Sequence, residues 1–157
     1  MSAENRCEWR EEMLTGVRDR LPADSAWPET CDALWPWSYR ISGPLSSSPA
    51  VEIYEAGSLV DVVSSTRLDV PVLRGARSVR VGDSWRVVAW GRLPLTPGVP
   101  AVEFTSGRLS VPRRAVVPVR LTHWCWLTVT LGRYAAVTAS YGSTAVRQKL
   151  RAGWSCP

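Results

Sequence analysis

Carboxylates are absent from the last third of this 157-residue chain. Residues 104–157 contain no Asp or Glu and eight Lys or Arg, a formal charge of +8, whereas residues 1–103 carry a formal charge of −3. Such a stretch is unusual at ordinary charge usage. It predicts an anionic partner, either nucleic acid or an acidic protein surface. The alternative is that the acidic front part neutralises the basic part within the fold or within a homo-oligomer.

Long apolar runs are lacking as well. No run approaches the roughly 20 residues that a membrane-spanning helix needs, so we expect no membrane partner. Glu4, Glu8, Glu11 and Glu12 argue against a secretory signal or a transit peptide at the start of the chain. We therefore expect a cytoplasmic protein.

Lys149 is the only lysine. The preference for arginine suits phosphate contacts but also follows from a GC-rich genome, so it does not count as a sign of phosphate binding.

Closely spaced cysteines are missing too. The four cysteines lie at positions 7, 31, 125 and 156 without a Cys-x-x-Cys pair, which favours reduced intracellular thiols. His123 is the only histidine. It could join Cys7, Cys31 and Cys125 in a zinc site, or act as the base for a Cys125 nucleophile.

Enzymatic signatures are otherwise scarce. Asp61, Asp69 and Asp83 could form a carboxylate cluster for metal-assisted phosphoryl chemistry, but no accompanying motif and no Gly-rich phosphate loop occurs. We therefore predict a protein that is not an enzyme and has no cofactor and no metal.

The first 49 residues divide into two segments. Residues 1–21 predict an N-terminal helix over 3–20, with glutamates in its first turns and Pro22 at its end. Residues 22–49 predict an irregular connector rich in Trp and Pro. Its Trp35-Pro36-Trp37-Ser38-Tyr39 run is either a small core beneath a loop or a stacking platform.

From residue 50 the apolar residues recur with a period of two, which predicts one β-rich domain over residues 50–157. Thr105-Ser106-Gly107 and Gly132-Arg133 predict short hairpin turns, the first between strands at 101–104 and 108–111. A final helix is predicted from Ser143 to Ala152, ended by Gly153.

The middle of this domain resembles a small SH3-like β-barrel. Val79-Arg80-Val81-Gly82-Asp83-Ser84-Trp85 resembles the opening turn and strand of that fold, and residues 107–119, with Val111-Pro112, resemble its close. The resemblance covers residues 78–119 and implies a barrel core over 78–121. Such barrels occur in nucleic-acid-binding proteins and in phage or viral particles. The turn position that carries a Tyr in peptide-binding members is Ala115, so the resemblance does not imply a polyproline ligand.

Residues 124–153 are predicted to form a C-terminal β-hairpin followed by the final helix. This arrangement is similar to elements that bind double-stranded RNA, in which a basic helix meets phosphates. Arg147, Lys149 and Arg151 would lie on the helix, with Arg147 and Arg151 on one face.

The sequence therefore predicts a mainly β (α+β) protein: an SH3-like barrel with an N-terminal helix and a C-terminal β-hairpin-helix. We expect a binding module for nucleic acid, RNA included, and the alternative is a protein-interaction or structural subunit of a phage or viral particle or of a bacterial complex. Trp124 and Trp126 are either core residues or a stacking pair. The predicted nucleic-acid-binding residues are Arg113, Arg114, Arg120, Arg133, Arg147, Lys149, Arg151, Trp124 and Trp126.

Overall fold

All regular secondary structure in the described part of the chain is β-strand, which confirms the mainly β class. The structure, a computed structural model, describes residues 36–42, 49–65, 72–93, 98–107 and 113–156. The chain divides into an N-terminal unit, Met1–Ser65, and a C-terminal unit, Thr66–Pro157. The helix predicted over residues 3–20 lies outside the described residues.

The N-terminal unit contains an antiparallel sheet of three strands. These are β1 (Trp37–Ser42), β2 (Ala50–Glu55) and β3 (Ser58–Ser64), in the order β1-β2-β3. Val51, Ile53 and Val63 are buried, as expected for strands with a period of two. Ala56 and Gly57 join β2 to β3 with φ angles of 49° and 83°, the positive values that a two-residue hairpin turn needs.

Strand β1 corrects the prediction of an irregular connector over residues 22–49. Residues 37–42 alternate Trp, Tyr and Ile with Ser, Arg and Ser, and they pair with β2 along their whole length. Pro36 directly precedes this strand without interrupting it, because that position does not need to donate to the ladder. The remainder of the connector from residue 22 to 35 lies outside the described residues.

Arg40, Glu52 and Tyr54 form a polar group on one face of this sheet. Arg40 is the cross-strand partner of Glu52, and the Tyr54 hydroxyl donates to a Glu52 carboxylate oxygen at 2.5 Å. This hydrogen bond lowers the pKa of Glu52, as does a second one from Ser42, and it also raises the pKa of Tyr54.

The C-terminal unit contains two β-sheets. Its strands are β4 (Gly75–Val81), β5 (Ser84–Arg92), β6 (Ala101–Thr105), β7 (Arg114–Val116), β8 (Val119–Arg120), β9 (Cys125–Leu131), β10 (Ala136–Tyr141), β11 (Thr144–Lys149) and β12 (Arg151–Cys156). One sheet has the order β12-β4-β5-β9-β8 and the other the order β11-β10-β6-β7. Each described pairing is antiparallel except β12 with β4, which is parallel.

Both sheets contribute to one hydrophobic core, so they pack as a β-sandwich. The five-stranded sheet supplies Ala76, Val87, Ala89 and Trp126, the four-stranded sheet supplies Val102, Phe104, Val137 and Ala139, and Leu73 and Leu93 flank them. The other face of the five-stranded sheet is buried as well, at Val88, Trp90 and Leu127. Burial on both faces explains why β5 and β9 read as continuous apolar runs.

The C-terminal helix predicted from Ser143 to Ala152 is wrong, because these residues form β11 and the start of β12. Gly142, with a φ of 57°, makes the hairpin turn between β10 and β11. The residues expected to bound the helix have other positions: Ser143 follows the turn glycine Gly142, and Gly153 lies within β12.

The strands of residues 78–119 do not close a barrel by themselves. β5 pairs with β9 and β6 pairs with β10, so both sheets are completed by strands that follow residue 119. The hairpin partner of β6 also differs from the prediction, because Phe104 pairs with Arg114 of β7 rather than with the predicted strand at 108–111. Residues 108–112 lie outside the described residues.

Gly91 occupies a position of the core where no side chain fits. It is the register partner of Trp126, whose indole Nε1 donates to the Val72 carbonyl oxygen at 2.9 Å. A β-carbon on Gly91 would lie 1.7 Å from that same oxygen and 2.9 Å from the indole ring. Glycine at this position therefore allows the segment before β4 to bond to Trp126.

Gly91→Ala is expected to destabilise the C-terminal unit by about 3 kcal/mol or more, because the Val72 backbone must move away from Trp126. Urea denaturation followed by circular dichroism measures the change. Gly107→Ala is the control, since its new β-carbon would meet only the Ala135 β-carbon at 3.4 Å, and it should shift stability by about 0.5 kcal/mol at most. Equal stability of the two variants would contradict the close approach at Gly91.

Tyr54→Phe is expected to raise the pKa of Glu52, because the variant loses the hydrogen bond that favours the carboxylate. Since the folded pKa of Glu52 is lowered, the bond stabilises the fold above the unfolded pKa and is lost as the pH falls through the folded pKa. An NMR titration of the Glu52 carboxyl group in both proteins measures this shift. An unchanged pKa in the variant would assign the lowering to Ser42 and Arg40 instead.

Candidate nucleic-acid interface

The charge asymmetry of the sequence coincides with the boundary between the two units. The N-terminal unit holds 5 Lys or Arg and 11 Asp or Glu, a formal charge of −6. The C-terminal unit holds 14 Lys or Arg and 3 Asp or Glu, a formal charge of +11. Excess positive charge is thus a property of one folded unit rather than of a tail.

The two carboxylates described in the C-terminal unit each lie beside an arginine. Asp83 contacts Arg80 at 3.4 Å, and Glu103 contacts Arg113 at 3.6 Å. All four side chains are well exposed, so these pairs are screened by solvent and hold their partners weakly. Two pairs neutralise little of the positive charge of the unit.

Several predicted cations lie on or beside residues 132–135, the link that joins the two sheets. Arg133 belongs to this link. Lys149 is the register partner of Ala136, the residue that follows the link. Arg114 begins β7 and donates from its guanidinium to the Leu131 carbonyl oxygen at 3.5 Å, a long hydrogen bond. We call this surface, formed by Trp85, Arg113, Arg114, Arg133 and Lys149, the arginine end of the sandwich.

Backbone hydrogen bonds fix the arginine end. The Gly132 amide donates to the Trp85 carbonyl oxygen at 2.8 Å, and the Ala135 amide donates to the Thr105 carbonyl oxygen at 2.8 Å. The Leu150 amide donates to the Ala135 carbonyl oxygen at 2.9 Å. The link between β9 and β10 is therefore held by β5, β6 and the residue that follows β11, which sets the positions from which the cations project.

A row of cations continues from this end along the chain. Arg147, Lys149 and Arg151 are exposed, whereas Val146 and Leu150 are partly buried and pack against the core. Arg147 and Lys149 are alternate residues of β11, about 6.6 Å apart, and Arg151 begins β12 in the other sheet. Each of them is without an ion pair among the described residues.

Arg151 also faces a like charge. It is the register partner of Arg77, and no described carboxylate contacts either side chain. Like charges directly opposite each other on neighbouring strands destabilise a sheet. An anion bound between such residues relieves the repulsion, which makes this position favourable for phosphate.

Arg120 is the predicted contact residue that lies elsewhere. It belongs to β8, opposite Trp126, and its guanidinium donates to the Gly98 carbonyl oxygen at 3.0 Å. This position is at the other end of β9 from Leu131. Arg120 therefore does not share a surface with the arginine end.

The proposed stacking by Trp124 and Trp126 is wrong, because the side chains of both residues are buried in the C-terminal unit. Trp124 is 5% exposed, and Trp126 is fully buried and bonded to Val72. The aromatic side chain at the cations is Trp85 instead, and the Arg133 guanidinium carbon lies over its ring at 5.5 Å from the centroid. The sequence predicts only that Trp85 belongs to a strand. No local signal marks it as a binding residue, because its exposure depends on its position near the start of β5.

The other chemistry considered from the sequence is not assembled by the described residues. Cys125 is fully buried and its thiol lies 3.8 Å from the Trp126 carbonyl oxygen, whereas His123 is exposed and packs edge-on against Trp124. Asp61 and Asp83 belong to different units, and Asp69, Cys7 and Cys31 lie outside the described residues.

No group of three or more His, Cys, Asp or Glu side chains within the described ranges is close enough to hold a metal ion. The same ranges contain no helix long and apolar enough to cross a membrane. Comparison of the chain with protein families, curated proteins and solved structures gives no match. The function is therefore inferred from the charge and geometry of the chain's own side chains.

Proposed function

We propose that the C-terminal unit is a non-enzymatic module that binds nucleic acid, RNA included, at the arginine end of its sandwich. The observation that supports this most directly is the +11 charge of the unit, with cations collected around the link between β9 and β10. A β-sandwich alone does not choose among functions, so the proposal depends on these side chains.

Binding follows from the release of counterions. Nucleic acid carries condensed cations that Lys and Arg displace when they contact phosphates, so affinity falls with salt in proportion to the contacts made. The arginines add two parallel N–H donors each, which match the oxygens of one phosphate group. Backbone contacts of this kind give affinity without base specificity.

The triple variant Arg114→Gln, Arg133→Gln and Lys149→Gln is expected to lower both the affinity and the salt dependence of binding. Removing three phosphate contacts reduces the slope of log K against log salt by roughly 2. Fluorescence anisotropy with labelled RNA and DNA oligonucleotides across a salt series measures both quantities.

Arg120→Gln is the matched control for the triple variant, because Arg120 is an exposed arginine of the same unit away from the arginine end. It should keep the slope of the unaltered protein. If the native protein binds no nucleic acid at low salt, or if Arg120→Gln changes binding as much as the triple variant, the proposed interface is wrong.

Glu103→Gln is expected to strengthen binding, because it removes a carboxylate and releases Arg113 for phosphate. The gain should be roughly 2- to 5-fold at low salt, with a steeper salt slope. Glu52→Gln makes the same change of net charge on the N-terminal unit and should leave the affinity unaltered. An equal gain from both variants would indicate an effect of net charge rather than of the arginine end.

A protein-interaction or structural role is the second candidate, favoured by one observation in the N-terminal unit. β3 is an edge strand, and its Leu59 and Val62 are 56% and 41% exposed. Exposed apolar side chains on an outer strand of the described sheet suit contact with another protein surface. A stable oligomer that persists at high salt in sedimentation equilibrium, and that dissociates in Leu59→Lys, would favour this role.

A further inference from the structure

Among the described tryptophan side chains, only that of Trp85 is partly exposed. Five tryptophan side chains are described, and Trp37, Trp90, Trp124 and Trp126 are each 5% exposed or less. Trp85 lies near the start of β5, after the turn at Gly82 and Asp83, and the Gly132 amide binds its carbonyl oxygen. The backbone at Trp85 is therefore held in place while part of its indole faces solvent.

Arg133 shows that the indole ring accepts a planar partner. Its guanidinium carbon lies 5.5 Å from the ring centroid, and it makes no hydrogen bond or ion pair with any described residue. A guanidinium held only by the ring can give way to another planar group and turn to a nearby phosphate. A nucleobase is such a group, and stacking on aromatic side chains is the usual way proteins hold unpaired bases.

The surroundings of Trp85 suit an unpaired strand better than a duplex. Leu131 is 57% exposed beside the Arg114 guanidinium and offers an apolar surface next to a cation. The bases of a duplex are stacked inside it and reach an indole only after unpairing. A row of phosphate contacts would serve either form, whereas an indole among cations adds affinity only for exposed bases.

We propose that the arginine end binds single-stranded nucleic acid, with one base stacked on Trp85 and Arg133 moved to a phosphate. This inference rests on the proposed function and names its substrate as an unpaired strand. It assigns two kinds of contact to one surface: the cations hold the backbone, and the indole holds a base.

The test compares Trp85→Leu with Trp85→Phe in the full-length protein. Anisotropy titrations use a labelled oligo(U) and a labelled RNA hairpin duplex of the same number of nucleotides. The two strands of the hairpin are joined by a non-nucleotide linker, so that it has no unpaired loop bases. Trp85→Leu is expected to bind oligo(U) roughly 5- to 150-fold more weakly than the unaltered protein, the loss that removal of one stacked base produces. Trp85→Phe keeps an aromatic face and should keep most of the affinity.

The salt series separates stacking from charge. Trp85→Leu removes no cation, so its slope of log K against log salt for oligo(U) should equal that of the unaltered protein, and its hairpin affinity should be unchanged. Arg120→Gln serves as the control at the other end of β9. Thermal unfolding of each variant shows whether the unit remains folded.

Three outcomes would overturn the inference. Unchanged oligo(U) affinity in Trp85→Leu would show that no base stacks there, and the proposed function would stand. An equal loss of oligo(U) and hairpin binding in Trp85→Leu and Trp85→Phe would show that the ring serves only the structure. Absence of binding by the unaltered protein to either RNA would overturn the proposed function together with this inference.

Discussion

The C-terminal unit depends on the approach of three groups at Gly91. The Val72 carbonyl oxygen, the Trp126 indole and the Gly91 backbone occupy a space that admits no further carbon atom. Trp126 belongs to β9, which lies between β5 and β8, and its ring is part of the shared core. The hydrogen bond from the Trp126 indole holds Val72, which precedes β4, next to Gly91. Gly91 therefore allows the segment before β4 to lie against Trp126, next to the core residue Leu73.

A rigid sandwich is what allows the unit to carry so much unbalanced charge. Repulsion among like charges favours expansion of a folded protein, and 14 Lys or Arg against 3 carboxylates is a large imbalance for 92 residues. The apolar core opposes this expansion because it is buried in both sheets. Arg92 is buried in β5, but most of the described cations of this unit are exposed to water, which screens them. Because several cations lie at the arginine end, the positive potential is concentrated there, and a bound anion would lower it.

Much of the fold could be predicted from alternation. The strands around Val51, Val79 and Val137 follow from period-two patterns, and these residues are buried. The prediction fails where other signals favour a helix: Ser143 and Gly153 fit the two ends of a helix, whereas residues 144–149 form β11. Pairing over long distances in sequence, such as β6 with β10, leaves no local signal at all.

The candidate site was predictable in its charge but not in its aromatic residue. The carboxylate-free stretch includes Arg114, Arg133 and Lys149, each of which lies on or beside the link between β9 and β10. Trp124 and Trp126 were candidates for base stacking because residues two apart share a face of a strand. Both side chains are buried, so they do not form part of the surface. Trp85 was missed because exposure depends on what covers a side chain, and the residues that neighbour Trp85 in space, such as Arg133, are distant in sequence.

The parallel pairing of β12 with β4 has a consequence for how the sandwich is completed. Ser78 donates to the Arg151 carbonyl oxygen at 3.0 Å across 73 residues of chain. Before residues 151–156 pair with β4 during folding, the outer backbone N–H and C=O groups of β4 form an open strand edge. Such an edge is a template for association with other chains. Contacts of such sequence separation also slow folding. A chain shortened before residue 151 would thus retain most of its core and lose the strand that protects it from aggregation.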